Sequence, residues 1–469
     1  MTGTGPLHYR SLAAAAEAIA TGELSSEEVT RHTLMRVAAL EPRLRAFAEV
    51  RTAAAMDEAR AADARRARGE TLGALHGVPV AVKDLCAMAG TTTRAGGFFR
   101  TRFRDSDTAT VVRRLQEAGA IIVGKTQLTE GAWGAHHPDI KPPVNPWAPD
   151  RWPGVSSSGS GVSVAAGMAY GAIGTDTAGS IRFPSTCNRL VGLKPTWGRV
   201  SRHGVFRLSD TLDHVGPLAR SVRDAALIFD AIAGPDPADP TALDAPAPAA
   251  AEAARSGRLK GVRIGLDPAY ALDNVEPAIA ASLKIALTTM ERAGARIVEI
   301  KMPEIRSHLV GAYISAAVEA AISHAQNYPS EAATYSAGYA GFLELGRQTP
   351  AVDYAAVALW RREFRGQLAQ IFKTIDMVAA PVMPVEPPPL TVIDATVNAP
   401  PESIVMLMLY TIPYNCAGIP TLTLPMEKTQ AGVPLGFQLI GPDLSEAALC
   451  AAGAAYETLT GFSSDHPEI

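Results

Sequence analysis

The sequence predicts one large α/β domain carrying helical insertions. Three observations point to it. Apolar strand-like runs alternate with amphipathic helical patterns over residues 75–123 and again over 261–300, the order expected of a sheet flanked by helices. With 469 residues, 47% of them hydrophobic and 19% charged, the chain has the material for a sizeable core. No internal repeat divides it, and only Gly234–Gly257 has the Ala/Pro-rich composition of a surface segment.

Residues 1–70 read as an N-terminal helical block packed on the main body. Ser25-Ser26-Glu27-Glu28 is a capping-box pattern, with Val29, Leu34, Val37 and Leu40 at helical spacing behind it. Pro42 is expected to end that helix. A short strand-like piece, Ala46–Val50, leads to a second helix over Ala53–Arg68. Leu75–Asp84 then reads as a buried strand that delivers Lys83 and Asp84 at its end. Asp107 is expected to cap a helix over Thr108–Ala118, and Ile121–Val123 is a short strand of the parallel type. Gly131–Trp152 is irregular, with five prolines and three tryptophans, and loops of that length are often functional. A helix over Ser221–Ala233 precedes the Ala/Pro-rich segment. Beyond it come a strand (Gly261–Asp267), a helix (Glu276–Ala293) and a strand (Ala295–Ile300). Residues 305–375 form a helical cover broken near Tyr328-Pro329 and Gly346–Pro350. The apolar stretch Met377–Pro384, strands at Pro420–Pro425 and Gly436–Ile440, and a helix at Ser445–Tyr456 close the chain.

Composition excludes several classes of function. A net charge of −4 without a basic tract argues against a nucleic-acid binder that works by bulk charge. The four cysteines, Cys86, Cys187, Cys416 and Cys450, are scattered, which predicts reduced, buried thiols in a cytoplasmic protein and neither a zinc site nor a disulfide frame. The opening residues MTGTGPLHYR lack the pattern of a signal peptide, and no apolar run is long enough to span a bilayer.

The chemistry concentrates in Pro153–Ser201. This stretch is rich in glycine and serine, yet an apolar run, Val162–Ile173, passes through it. That mixture suits a tightly turning backbone that enters a buried element and presents hydroxyls at both ends. Ser156 and Ser180 stand at those ends, among small residues. A serine hydroxyl needs a base. His203 and His214 follow the stretch, but neither lies in a recognisable triad signature and no GxSxG elbow is present. Lys83 is the better-placed base, because burial disfavours its ammonium form. Gly174–Ser180 would then be a tight turn whose amides face a carbonyl oxygen. His136 and His137 invite a metal reading, but no third ligand follows at suitable spacing. Trp133 either walls a pocket or pins its loop to the body. Tyr313, Tyr328, Phe342 and Trp360 suit an apolar or aryl acyl group, or equally a helical core.

Taken together, GVSSSGSG, GTDTAGSIRFPS and GLKPTWGRVS resemble the amidase signature family. The resemblance extends to HGVPVAVKD, GKTQLTEGAWG, LDHVGPLARSVRDAA, YNCAGIPTLTLP and GVPLGFQLIG, and so to nearly the whole chain. It implies that family's fold, a large mixed β-sheet covered by helices on both faces within a single domain, with the catalytic core over 71–233 and a surface segment over 234–260. It also implies an acylated nucleophile at Ser180, a bridging serine held by a cis peptide at Ser156, and a base at Lys83. The oxyanion amides would be those of Thr177, Ala178, Gly179 and Ser180. Trp133 and Ser157 would meet substrate, and Asp176 and Arg182 would brace the nucleophile loop. Ala178 and Val155 depart from the glycines usual at their positions, which narrows the approach to the acyl pocket. No metal or cofactor is implied, and relatives are often homodimers. The implied activity is hydrolysis of an amide C–N bond in a small molecule, with carbamates, anilides and esters as further candidates, and with ureido compounds a minor option. Two other readings remain open. One is the amidase-like component of a tRNA-dependent amidotransferase, which works with partner proteins and charged tRNA. The other is a non-catalytic descendant, which retention of both serines and the lysine disfavours.

Overall fold

A computed structural model describes residues 6–397 and 399–469. The first five residues of MTGTGPLHYR lie outside the described ones. The described residues build one sheet from eleven strands: β1 (Phe47–Val50), β2 (Pro79–Lys83), β3 (Ile121–Thr126), β4 (Gly171–Asp176), β5 (Val191–Lys194), β6 (His214–Ala219), β7 (Arg263–Leu266), β8 (Arg296–Glu299), β9 (Met377–Pro381), β10 (Thr421–Pro425) and β11 (Gly436–Ile440). Their order across the sheet is β1-β3-β2-β4-β6-β5-β10-β11-β9-β7-β8. The sheet is mixed. β2 pairs in parallel with both β3 and β4, and β7 with both β8 and β9, whereas the middle of the sheet from β4 to β9 is antiparallel.

Successive strand residues point to opposite faces, and both faces are buried. Val80 and Val82 of β2 and Ile122 of β3 join a large apolar cluster with the helices of residues 309–371. Ala81, Ile121 and Val123 point the other way, into a second cluster with Leu34, Val37, Ala55 and Ala59 of the N-terminal helices. This alternation explains why β2 reads as an uninterrupted apolar run.

The N-terminal helices begin as the sequence predicts. Ser25 accepts from the Glu28 amide, and the Glu28 carboxylate accepts from the Ser25 amide at 2.8 Å. Two boundaries differ from expectation. Pro42 does not end its helix, which runs over Ser26–Leu44 and stops where Arg45 adopts φ 52°. A proline in the last turn loses only one backbone bond, and the left-handed residue after it terminates the helix. Asp107 caps no helix. The helix Thr110–Glu117 starts from Ala109, and the Asp107 carboxylate instead accepts from the Arg104 amide at 2.9 Å.

β4, β5 and β6 are strands that the sequence pattern does not announce. β4 reads GAIGTD, and glycines argue against a strand. The structure supplies the reason for them. A Cβ at Gly174 would lie 2.8 Å from Ser157 Oγ, and one at Gly171 would lie 2.3 Å from Ile228 Cδ1. Neighbouring elements press so closely on both positions that a side chain is excluded. The helices Leu309–Ser323, Ala337–Gln348 and Ala351–Ile371 lie over the β2–β4 end, with a cis Tyr328–Pro329 bond between the first two. The segment after Gly234 is mostly irregular apart from the helix Ala250–Ser256.

Candidate active site

Lys83 is the last residue of β2. Because β2 and β4 are parallel with Val82 opposite Ile173, the ends of both strands fall at the same edge of the sheet. Lys83 Nζ lies 2.7 Å from Ser156 Oγ and 2.8 Å from Thr175 Oγ1, and the lysine is wholly buried. Burial drives its pKa down to about 7, against the upward pull of the Asp213, Cys86 and Asp176 side chains. A neutral amine can donate to Thr175 and accept from Ser156, so the site holds a lysine that works as a base near neutrality. Ser156 follows a cis peptide bond from Val155, in the loop that enters the helix Ser158–Ala165.

Ser180 lies in the turn between β4 and the helix Arg182–Cys187. Asp176, the last residue of β4, organises this turn. Its carboxylate accepts from the amides of Gly179 (2.8 Å) and Ile181 (3.0 Å) and from Arg182 Nη2 (2.8 Å). Asn415 Nδ2 adds a bond of 2.9 Å to the same carboxylate. Burial alone would raise the Asp176 carboxyl, but the Arg182 guanidinium beside it holds it well below the usual carboxylate range. Arg182 reaches on to Thr411 O and Gln438 Oε1, so the turn is fastened to the C-terminal strands.

The turn corrects one expectation about the oxyanion site. The Gly179 N–H is committed to Asp176 Oδ1, whereas the amides of Thr177, Ala178 and Ser180 have no acceptor among the described residues. Gly179 serves the turn in another way. It has φ +131°, and a Cβ there would lie 2.4 Å from the Phe183 ring. A second correction concerns Ser157. Its hydroxyl donates to Thr175 O (3.2 Å) and accepts from Thr175 N (3.3 Å), so it ties the Ser156 loop to β4 and is not part of the pocket wall.

Ser180 opens into an apolar pocket. Trp133, Val155, Ala178, Phe183, Tyr313 and Met408 form much of its wall, with Thr177 beside the serine. Its open volume is about 50 Å³. The two residues that depart from glycine, Val155 and Ala178, both contribute methyl groups to this wall. Trp133 donates from Nε1 to Tyr313 OH at 3.1 Å and stacks on Tyr339 with ring centroids 5.9 Å apart. It therefore lines the pocket and also pins its loop to the helical cover. The Ser180 hydroxyl makes no hydrogen bond to a described residue; the chain brings Lys83 onto Ser156 and leaves Ser180 facing the pocket. A larger open cleft of about 930 Å³, around Arg202, Asp210 and Glu319, contains none of these residues.

Sequence reasoning missed Thr175, Asp213 and Asn415. Asp213 accepts from Thr177 Oγ1 at 2.6 Å and from the amides of Leu208 and Ser209, and burial raises its carboxyl to about 6. Asp213 and Asn415 lie inside LDHVGP and YNCAGIP, two of the strings that carry the resemblance, but nothing in those strings tells which side chain faces the site. Among the described residues no group of three His, Cys, Asp or Glu side chains could hold a metal ion. His136 Nε2 meets Ser158 Oγ at 3.2 Å, and His137 stands edge-on to Phe98. All four cysteines are buried and free. No helix among the described residues is long and apolar enough to cross a membrane.

The fold and this cluster of residues define a hydrolase of carbon–nitrogen bonds, and comparison with known proteins agrees. The Amidase family profile matches residues 28–450. The chain is 40% identical to the amidase-family protein AmiD of Mycobacterium tuberculosis over 454 residues, which cover 97% of this chain and 95% of that one. It is 36% identical to the amidase-like component of the glutamyl-tRNA(Gln) amidotransferase of Chloroflexus aggregans, covering 99% of both. The structure of the peptide amidase from Stenotrophomonas maltophilia superposes with a TM-score of 0.82 at 31% identity, covering 97% of this chain and 98% of that one. The chain belongs to the amidase signature family.

Proposed function

We propose that the protein is a self-sufficient serine hydrolase for amides with a compact apolar acyl group, acting through an acyl-enzyme at Ser180. The observation that carries this reading is the wholly buried Lys83 amine, 2.7 Å from Ser156 Oγ and brought into the neutral range by burial. Neutral Lys83 takes the Ser156 proton while Ser156 takes the proton of Ser180, and Ser180 Oγ attacks the carbonyl carbon. Rotation of the Ser180 side chain toward Ser156 completes the relay. The resulting oxyanion is held by the free amides of Thr177, Ala178 and Ser180, each worth about 3 kcal/mol of barrier. When the C–N bond breaks, Ser156 returns a proton to the leaving nitrogen. Water then attacks the acyl-enzyme by the same relay in reverse, which releases the acid and regenerates Ser180.

The acyl preference follows from the pocket. Its wall offers no charged side chain to a substrate, and its open volume of about 50 Å³ holds only a small group unless the side chains around it move. These features favour the hydrolase over a component of an amidotransferase, since glutamine bound by its acyl end would place an ammonium and a carboxylate where no charged partner stands.

The test is ammonia release from propionamide, benzamide and glutamine by the purified chain alone. Propionamide should be turned over fastest and glutamine least. Ser180→Ala and Lys83→Ala should each lose at least about 1,000-fold in kcat, as expected for members of one relay. Turnover confined to glutamine, or turnover that survives Ser180→Ala, would sink the reading.

A further inference from the structure

His136 takes no part in this relay, yet it lines a cavity that opens off the acyl pocket. The cavity has a volume of about 400 Å³ and shares Trp133, Gly134, Val155 and Val397 with the pocket that holds Ser180. The rest of its wall is mainly apolar, including Ile140, Trp152, Leu390 and Ile393. The His136 ring is partly exposed in it, and burial lowers its pKa to about 4, so the imidazole is neutral at physiological pH.

The hydrogen bonds of His136 are incomplete. Nε2 meets the buried Ser158 hydroxyl at 3.2 Å, while Nδ1 is shielded from solvent and has no partner. Two arrangements are open to this pair. If the ring proton sits on Nε2 and is donated to Ser158 Oγ, both the Ser158 hydroxyl proton and the Nδ1 lone pair go unmatched. If Ser158 donates to Nε2, the ring proton sits on Nδ1 and only that N–H lacks a partner. A buried unmatched polar group costs roughly 1–3 kcal/mol, so the second arrangement wins. His136 therefore presents a hydrogen-bond donor, and a small turn of the ring about its broad χ2 well brings that donor to the cavity.

Resting on Ser180 as the nucleophile, we propose that this cavity is the leaving-group site and that His136 is a specificity-determining residue, donating from Nδ1 to an oxygen acceptor in the amine portion of the substrate. Ser180 lines only the smaller pocket, which places the scissile carbonyl there. The departing nitrogen takes its proton from Ser156, and Val155, the residue before it, lines both spaces. The nitrogen and its substituent thus extend into the larger cavity. The substrate class is a secondary amide with a short apolar acyl group and an amine bearing a ketone, amide or ether oxygen.

The test compares two amides of nearly the same shape, N-(2-oxopropyl)propionamide and N-isobutylpropionamide, of which only the first carries the acceptor. In the native protein the ratio of their kcat/KM values should favour the ketone. His136→Leu, which keeps the bulk, should lower that ratio by about 10-fold, the scale of one buried hydrogen bond, and His136→Asn, which returns a donor near the Nδ1 position, should recover part of it. A ratio unchanged in His136→Leu overturns the proposal. Calorimetric binding of the same two amides to the Ser180→Ala protein, with and without His136→Leu, separates the two readings. If the native protein hydrolyses neither amide the hydrolase reading falls, whereas the binding preference for the ketone and its loss on His136→Leu still decide the role of His136.

Discussion

Lys83 is the residue on which catalysis should depend most visibly on pH. The ammonium cannot accept a proton, and burial places its pKa near 7. Below that value the base is charged and idle; above it the amine is neutral and active. kcat/KM should therefore climb with pH through a single inflection near 7 and then level off. Asp213 exerts the largest charge effect on this lysine, and it raises the pKa. Near pH 7 its own carboxyl, at about 6, is mostly ionised. Asp213→Asn removes that negative charge, so the ammonium loses support and the inflection moves to lower pH. The same change loosens Thr177, whose hydroxyl donates to Asp213, and kcat should fall by up to about 100-fold, the scale of one impaired oxyanion donor. A pH profile of the variant whose limb stays in place would contradict the assignment of Asp213 as the charge that tunes Lys83.

At the scale of elements, the site depends on a helix made of small residues. Ser158–Ala165 reads SGSGVSVA, a poor helix former in isolation, and it holds because every residue is buried against the sheet. Gly159 is the closest contact. A Cβ there would lie 2.2 Å from Ala46 O and 2.6 Å from Gln127 N, both backbone atoms. Gly159→Ala must push the helix away from β1 and β3, and with it the Ser156 loop. We expect a loss of about 1–3 kcal/mol in stability together with a fall in kcat, measured by denaturant unfolding and by amidase assay on the same preparation. These contacts also explain what the sequence could convey. Val80, Val82 and Ile122 are legible as strand residues because burial on both faces demands branched apolar side chains. β4 is not, because its glycines answer to crowding by Ser157 and Ile228, and Ile228 lies far away in sequence. The positions of Lys83, Ser156 and Ser180 are legible because their motifs are long, but the direction in which Gly179 N–H or Ser157 Oγ points is set by Asp176 and Thr175 and is written in no motif.

Across the whole molecule, the catalytic turn and the chain ends are joined by buried carboxylates. Asp176 and Arg182 bind the nucleophile turn to segments more than two hundred residues away, through Thr411, Asn415 and Gln438. Asp224 does the same for the N-terminus. It accepts from the amides of Leu12 and Ala13, each at 3.0 Å, and so holds the first turn of the helix Leu12–Thr21 against the helix Val222–Ile232. Asp224→Ala leaves two amides unmatched, a loss of about 2–4 kcal/mol if neither is rehydrated. Hydrogen exchange should then quicken across residues 12–21, while the amides of β2 and β4 remain protected. Uniform acceleration over the entire sheet would instead mean that this contact supports the global fold.

The bond from Trp133 to Tyr313 has a practical side. Trp133 is one of five tryptophans, and it stands in the wall of the acyl pocket with its indole N–H engaged by a phenol. An acyl group entering that pocket must touch this ring and disturb its hydrogen bond, so the indole emission becomes a native reporter of occupancy. Stopped-flow fluorescence could then follow acylation and deacylation as separate phases with any colourless amide, and Trp133→Phe would supply the blank.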